Sequence, residues 1–413
     1  MKEKLINPHY NVNIEGRNRS GSIWRRLFQI STVIGILALI ALLLNILNSA
    51  FGYAALEAKV DPATLATNGV ALEDQSKEQL TALLKAELSN GAYNKLEKDQ
   101  PFAERSRSNV YQLVLERIVK YEVEQIWSFW ESITRADEIK KEAAENYPTA
   151  KLQFISWPTA DFITRPQSSE ALTAGVRTAI LGSLWTILFT ILLAFPLGVG
   201  AAIYLEEYAT DNWVNRTIRT NINNLAGVPS IVYGILGLAI FVRTLEPLTS
   251  GEVFGLVDPT TANGRTVLAA GLTLGLLVLP IIIINAQEAI RAVPQSLRKA
   301  SYGIGATKWQ TVWSHVLPNA MPGILTGTIL AISRAIGETA PLVVVGASTA
   351  ISFDPTSPFS KFTTLPIQIY QWTSRPQDEF RSLAAAAILV LLIILLSLNA
   401  SAVLLRNRFS RRY

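Results

Sequence analysis

The sequence predicts an all-α membrane protein with six transmembrane helices and a largely helical extracytoplasmic insertion between helices 1 and 2. Three observations predict it. Of the 413 residues, 49% are hydrophobic and 17% charged, and the mean hydropathy is +0.27, too apolar for an ordinary soluble chain. The apolar residues gather into six stretches, Leu27 to Leu47, Thr178 to Leu205, Leu225 to Val242, Thr266 to Gln287, Ala320 to Phe353 and Ser382 to Leu405. Each matches the roughly 20 helical residues that cross a hydrocarbon core. The runs are continuous, without the period-two alternation of a barrel strand, and only helices or closed barrels satisfy the backbone in lipid.

The elements follow in order. Residues 1–26 form a basic N-terminus with Lys2, Lys4, Arg17, Arg19, Arg25 and Arg26, and residues 406–413 form a basic tail with Arg406, Arg408, Arg411 and Arg412. Arg216, Arg219, Arg291, Arg298, Lys299 and Lys308 lie in the loops on the same side, whereas the opposite short loops carry Arg243, Arg265, Lys361, Arg375 and Arg381. The positive-inside rule places both termini in the cytoplasm. Residues 27–47 read as an uncleaved first span. The alternative is a cleaved signal peptide, against which stands an apolar run longer than the usual 7–15 residues.

Residues 48–174 are polar and rich in helix formers over Lys77 to Ser89 and Ala103 to Asn146. Val110, Leu113, Leu115, Ile118, Val119, Val123 and Ile126 recur at three- and four-residue spacing, as on one helix face. Such a stripe either shields itself in a fold or docks an outer partner. Residues 175–405 hold spans 2 to 6. Helix interruptions are expected at Pro196 and Gly198, Gly227 and Pro229, Pro280, and Gly337 with Pro341. Gly271 with Gly275 and Gly323 with Gly327 would permit close helix contact.

Several chemistries are excluded. There is no cysteine, hence no disulfide or thiol site, and His9 and His315 are too far apart for a local metal motif. No Gly-Lys dipeptide occurs, so a Walker A phosphate loop is absent. Neither histidine lies near a plausible nucleophile, and the chain is expected to be no enzyme and to bind no ATP or other cofactor itself. The basic pI near 9.3 is accounted for by residues flanking spans, and nucleic acid is not an expected partner. The lipid bilayer is.

The polar segment 287–319 is the first candidate site. Pro294 can open a helix to about Tyr302, Gly303 and Gly305 would end it, and a second helix from Thr307 to Val316 would show Trp309, Val312 and Trp313 on one face. Such a helix-glycine-helix knob fits a cleft on a soluble partner; the bland alternative is an interfacial helix on acidic headgroups. The spacing resembles the coupling motif of binding-protein-dependent ABC importer permeases. Ala300, Gly305, Leu317 and Pro318 match it, whereas Lys299, Ser301 and His315 depart from it. The resemblance implies an ABC-importer permease fold in the inner membrane, with a coupling loop, residues Ser296, Ala300, Ser301, Gly303, Gly305, Ala306, Trp309, Leu317 and Pro318 among them, that docks into a dimer of ATPase subunits. ATP and Mg would belong to that partner.

Further phrases, Pro196 to Ala209, Ala226 to Leu238, Ser333 to Ala347 and Leu365 to Phe380, are similar to phosphate permeases of the PstA type. That likeness implies alternating-access transport of phosphate, an external phosphate-binding protein, and a second permease of the PstC type, with a homodimer as the alternative. It does not extend to the insertion.

The second candidate site lies in span five. Arg334 and Glu338 are four residues apart, on one helical face. Charge within a span costs about 2.5–3.5 kcal/mol on insertion scales and is usually paired or turned to a cavity. A salt bridge locking span five is one reading. In the other, Arg334 supplies fixed charge and planar donors to an oxyanion while Glu338 holds it and accepts a hydrogen bond from protonated phosphate. Arg177 at the head of span two is expected to be a boundary anchor. Sulfate or molybdate as the anion, an ion-gradient transporter and a membrane sensor or scaffold remain the alternatives.

Overall fold

Helix formation dominates because apolar runs in lipid must satisfy their own backbone. The computed structural model describes residues 14–66, 69–99, 101–168, 170–256, 264–347, 351 and 354–409. Lys2, Lys4, His9, the side chain of Arg17, Ser352, Phe353, Arg411 and Arg412 lie outside this description.

Among the described residues, five continuous helices are long and apolar enough to span, Asn18–Ala50, Arg177–Tyr208, Val267–Arg291, Lys308–Gly337 and Asp378–Arg408, and a bent pair makes a sixth. The first belongs to α1, Ile14–Ala50, which runs well past the predicted 27–47 at both ends. Its large apolar side chains, Leu39 and Phe28 among them, are exposed all round, as expected of a helix whose solvent is lipid. No loop follows. Strand β1, Phe51–Ala58, begins at the next residue.

The insertion comprises helices α2 (Lys77–Glu87), α3 (Asn90–Asp99), α4 (Arg107–Val114), α5 (Phe129–Thr134), α6 (Ala136–Asn146) and α7 (Ala160–Thr164), with strands β2 (Tyr121–Ile126) and β3 (Lys151–Ser156) beside β1. The antiparallel sheet has the order β2-β1-β3, with Ala54 opposite both Ile126 and Gln153. The insertion is largely helical as predicted, but the stripe is not one helix. After a π-helical turn, Leu115–Val119, Lys120 takes a left-handed φ of 47° and ends it, so Val123 and Ile126 lie on β2. Val110, Ile118 and Val119 are buried with Leu80, Leu84 and Phe102 in the insertion's own core. Leu113 and Leu115 pack against the same core, whereas Val123 and Ile126 pack against a cluster shared with the membrane helices.

The insertion is fused to the membrane core rather than tethered. Trp157 and Phe162 share one apolar cluster with Trp372, Phe380 and Leu383, which belong to α17, Leu365–Thr373, and α18, Asp378–Phe409.

In the core, α8 (Arg177–Ile203), α12 (Val267–Arg291) and α15 (Leu317–Gly337) pack closely. The small residues make this possible: a β-carbon at Gly271 would meet Phe189 Cβ at 2.5 Å, and one at Gly327 would meet Asn285 Cβ at 2.3 Å. Two expected interruptions do not occur, since α8 and α12 continue through Pro196 and Pro280.

Two interruptions do occur, and they correct two predicted spans. Instead of one helix over Leu225 to Val242, α9 (Trp213–Ala226) and α10 (Ser230–Gly237, continued by a π-helical stretch Leu238–Thr244) meet at 106°. Gly227 and Pro229 lie at the bend; Pro229 lacks the N–H that would carry α9 onward. The short helix α11, Glu246–Thr249, follows. Instead of one helix over Ala320 to Phe353, α15 ends at Gly337, and α16 restarts over Ala340–Val345 with Pro341 in its first turn.

Candidate functional site

The segment after α12 folds as the spacing predicts in its first half. Helix α13, Gln295–Gly303, opens after Pro294, and Gly305 adopts a φ of 86°, a left-handed turn in which a β-carbon is strained. Thr307 then forms a capping box with Gln310 that starts α14, Lys308–Thr311. A buried Ser301 Oγ···Thr311 Oγ1 hydrogen bond of 2.8 Å holds the two helices together.

The second half differs. The helix begun at Lys308 does not stop at Val316; it passes through a π-helical turn, Val312–Val316, into α15 as one element ending at Gly337. Leu317 and Pro318 therefore belong to the membrane helix rather than to a loop, and Val312 is buried while Trp309 and Trp313 are exposed. Those two indoles stack with centroids 5.5 Å apart. The exposed crest comprises Ser296, Lys299, Ala300, Tyr302, Gly303, Ile304, Gly305, Trp309 and Trp313, with Ile304 85% exposed, and Ala306 half-buried. An apolar, aromatic tip on a capped turn is suited to a cleft.

The crest stands on charges that sequence reasoning missed. At the end of α8 a π-helical turn, Tyr204–Tyr208, carries Glu206 and Glu207. Arg298 of α13 donates to Glu207 Oε1 from Nη2 at 2.7 Å and from Nε at 3.1 Å, and both side chains are buried. The same guanidinium donates to the carbonyls of Val293 and Ile290. Glu206 pairs with Arg219 of α9 at 2.8 Å and Arg291 of α12 at 2.9 Å, and accepts from Gln287 at 3.2 Å. Lys308 Nζ lies 5.2 Å from the Tyr208 ring centroid. A signal existed in sequence: two adjacent acids end an apolar helix on the side where Arg219, Arg291 and Arg298 collect.

Arg334 and Glu338 meet as predicted, Nε to Oε1 at 3.3 Å, but at a helix end. Glu338 is the residue after α15, with extended backbone (φ −76°, ψ 122°). Its side chain is 18% exposed and that of Arg334 46%. Around the break, α16 packs on α10, where a β-carbon at Gly234 would lie 2.6 Å from Pro341 Cα. Ser333 Oγ bonds Asn399 Oδ1 at 2.7 Å, fixing this end of α15 to α18. A paired but half-exposed guanidinium retains donor directions for a ligand. Arg177 is equally exposed but held by two partners: it pairs with Asp354 at 2.9 Å and donates to the Thr164 carbonyl, and Thr178 donates to the same carboxylate.

Both sites lie within a stretch shared with known proteins. Residues 194–413 match the family model described as binding-protein-dependent transport system inner membrane component. The chain is 32% identical over 260 residues to the probable ABC transporter permease protein YqgI of Bacillus subtilis, covering 60% of this chain and 83% of the relative. It is 35% identical over 244 residues to phosphate transport system permease protein PstA 1 of Mycobacterium tuberculosis, covering 59% and 74%. Phosphate transport system permease protein PstC of Xylella fastidiosa is 32% identical over 248 residues, covering 58% and 75%. The insertion lies before residue 194, where the family match begins. With its membrane helices, its exposed crest and this match, the chain belongs to the family of inner membrane components of binding-protein-dependent transport systems.

Proposed function

We propose that this chain is the permease subunit forming half of the translocation path for inorganic phosphate in an ATP-driven importer of the inner membrane. The observation that carries the reading is the ion pair of Arg334 and Glu338 at the break between α15 and α16, within the stretch matched by the family. A helix break at membrane depth is tolerated where it lines a cavity or meets protein. Arg334 would hold the anion by charge-assisted hydrogen bonds, and Glu338 would retain Arg334 when the site is empty and accept a hydrogen bond from a protonated phosphate oxygen.

The exposed crest from Ser296 to Trp313 is read as the contact with a dimer of ATPase subunits, which would bind ATP and Mg. Both termini would be cytoplasmic, placing the insertion outside, where a phosphate-binding protein delivers its load. A PstC-type chain is the expected second permease, with a homodimer as the alternative.

The test is ATPase activity of the reconstituted complex with binding protein and either phosphate or sulfate. Stimulation by phosphate is expected. Stimulation by sulfate alone would overturn the substrate, and failure to co-purify with an ATPase would overturn the importer reading.

A further inference from the structure

We propose that the terminal turn of α8, Tyr204–Tyr208, is a clamp that makes the coupling helix α13 and α8 move as one body, with Glu207 as the positioning residue. The inference rests on the importer reading above and goes beyond it. Arg298 engages Nε, Nη1 and Nη2 at once, on Glu207 and on the Val293 and Ile290 carbonyls. It thereby ties α13 to α8 and to the end of α12. Glu206, one position earlier and so turned to another side of the helix, takes Arg219 and Arg291 instead. Tyr208 faces Lys308. One turn of α8 thus holds every element that frames the crest.

Burial makes this more than an anchor. Two charges removed from water lose hydration that mutual attraction regains only with close geometry and further hydrogen bonds, and an apolar pair of similar volume often holds helices as well. What an apolar pair lacks is a fixed register. The other end of α8 is fixed with equal care: Leu365 N donates to Ser183 Oγ at 2.9 Å, and Asp354 holds Arg177 and Thr178. Since α8 is unbroken through Pro196 over its 27 residues, displacement of α13 reaches residues 354–365 along about 40 Å of helix.

The chain has no cysteine, so site-directed spin labels attach to it only at introduced positions, and it is labelled before assembly with its partners. In the full complex with its ATPase, labels at Gln295→Cys on α13 and Leu197→Cys on α8 report their separation with and without ATP, and transport per ATP hydrolysed is measured in vesicles. The expected result is an unchanged separation in the otherwise native chain. With Glu207→Gln, or with the apolar pair Glu207→Leu and Arg298→Met, the complex assembles and hydrolyses ATP, the separation becomes nucleotide-dependent, and transport per ATP falls at least tenfold. A native ratio in either variant overturns the proposal. So does loss of assembly in both, since the pair would then serve folding alone. The spin-label arm needs no substrate, so a native complex that moves no phosphate refutes the substrate reading, while an unchanged separation in both variants still overturns the clamp.

Discussion

Arg334 reaches Glu338 across the end of a helix, not along its side: Nε lies 3.3 Å from Oε1 although the Glu338 backbone is already extended. The helix has to end for the pair to sit beside the α16 restart. Replacing Arg334 by Gln is therefore expected to bring phosphate uptake to background while the complex still assembles and melts normally. Radiolabelled uptake in vesicles checks it.

Glu338→Gln keeps the shape and removes the charge. Uptake is expected to persist at a reduced rate, with the preference for phosphate over sulfate falling by tenfold or more, because a neutral amide no longer repels fully ionised sulfate. Competition assays across the two anions measure this.

The stacked, exposed pair Trp309 and Trp313 contributes little to the fold, and surface substitutions usually change stability by less than about 0.5 kcal/mol. The double change to Ala is expected to leave the melting temperature unchanged and weaken ATPase binding at least tenfold, read by co-purification or surface plasmon resonance.

Gly271→Val should act on the fold instead. The Cβ would press on Phe189 Cβ at 2.5 Å and the Thr186 carbonyl at 3.0 Å, and overpacking of this kind costs about 1–3 kcal/mol. A lowered melting temperature with a wider α8–α12 separation is expected.

In the insertion, burial holds the Glu116 carboxyl above its usual value, with Arg165 partly opposing at 2.9 Å. A raised acid pKa means the folded state binds more protons than the unfolded one, so this contribution to stability is present below the ordinary carboxylate range and is lost as pH rises through the folded value. Glu116→Gln should flatten that part of the pH profile, as followed by melting from acidic to neutral pH.

The legible features were those governed by local rules. Apolar runs marked the spans, Pro294 marked a helix start, and Gly305 marked the left-handed turn. The sheet was hidden because Tyr121 and Val123 alternate with Glu122 and Glu124 over six residues only, while Val119, Val123 and Ile126 also satisfy helical spacing. The choice was made by Lys120, a residue with no special preference for positive φ. The prolines misled differently: Pro196 and Pro280 sit in helices that neighbours support, whereas Pro229 and Pro341 stand at real breaks. Propensity is identical at all four, and tertiary surroundings decide. The pairing of Glu207 with Arg298 spans 91 positions, beyond any local pattern.

The shared cluster of Trp157 and Phe162 with Trp372, Phe380 and Leu383 bears on any attempt to shorten the protein. Excision of residues 51–174 would not leave a smaller permease with a neat outer surface. It would uncover the flank of α17 and α18 as an aromatic socket facing water, at the point where α1 also loses its continuation into β1. The insertion is thus a keystone of the membrane core, and a minimal version would need polar replacements at Trp372 and Phe380 before it could stand.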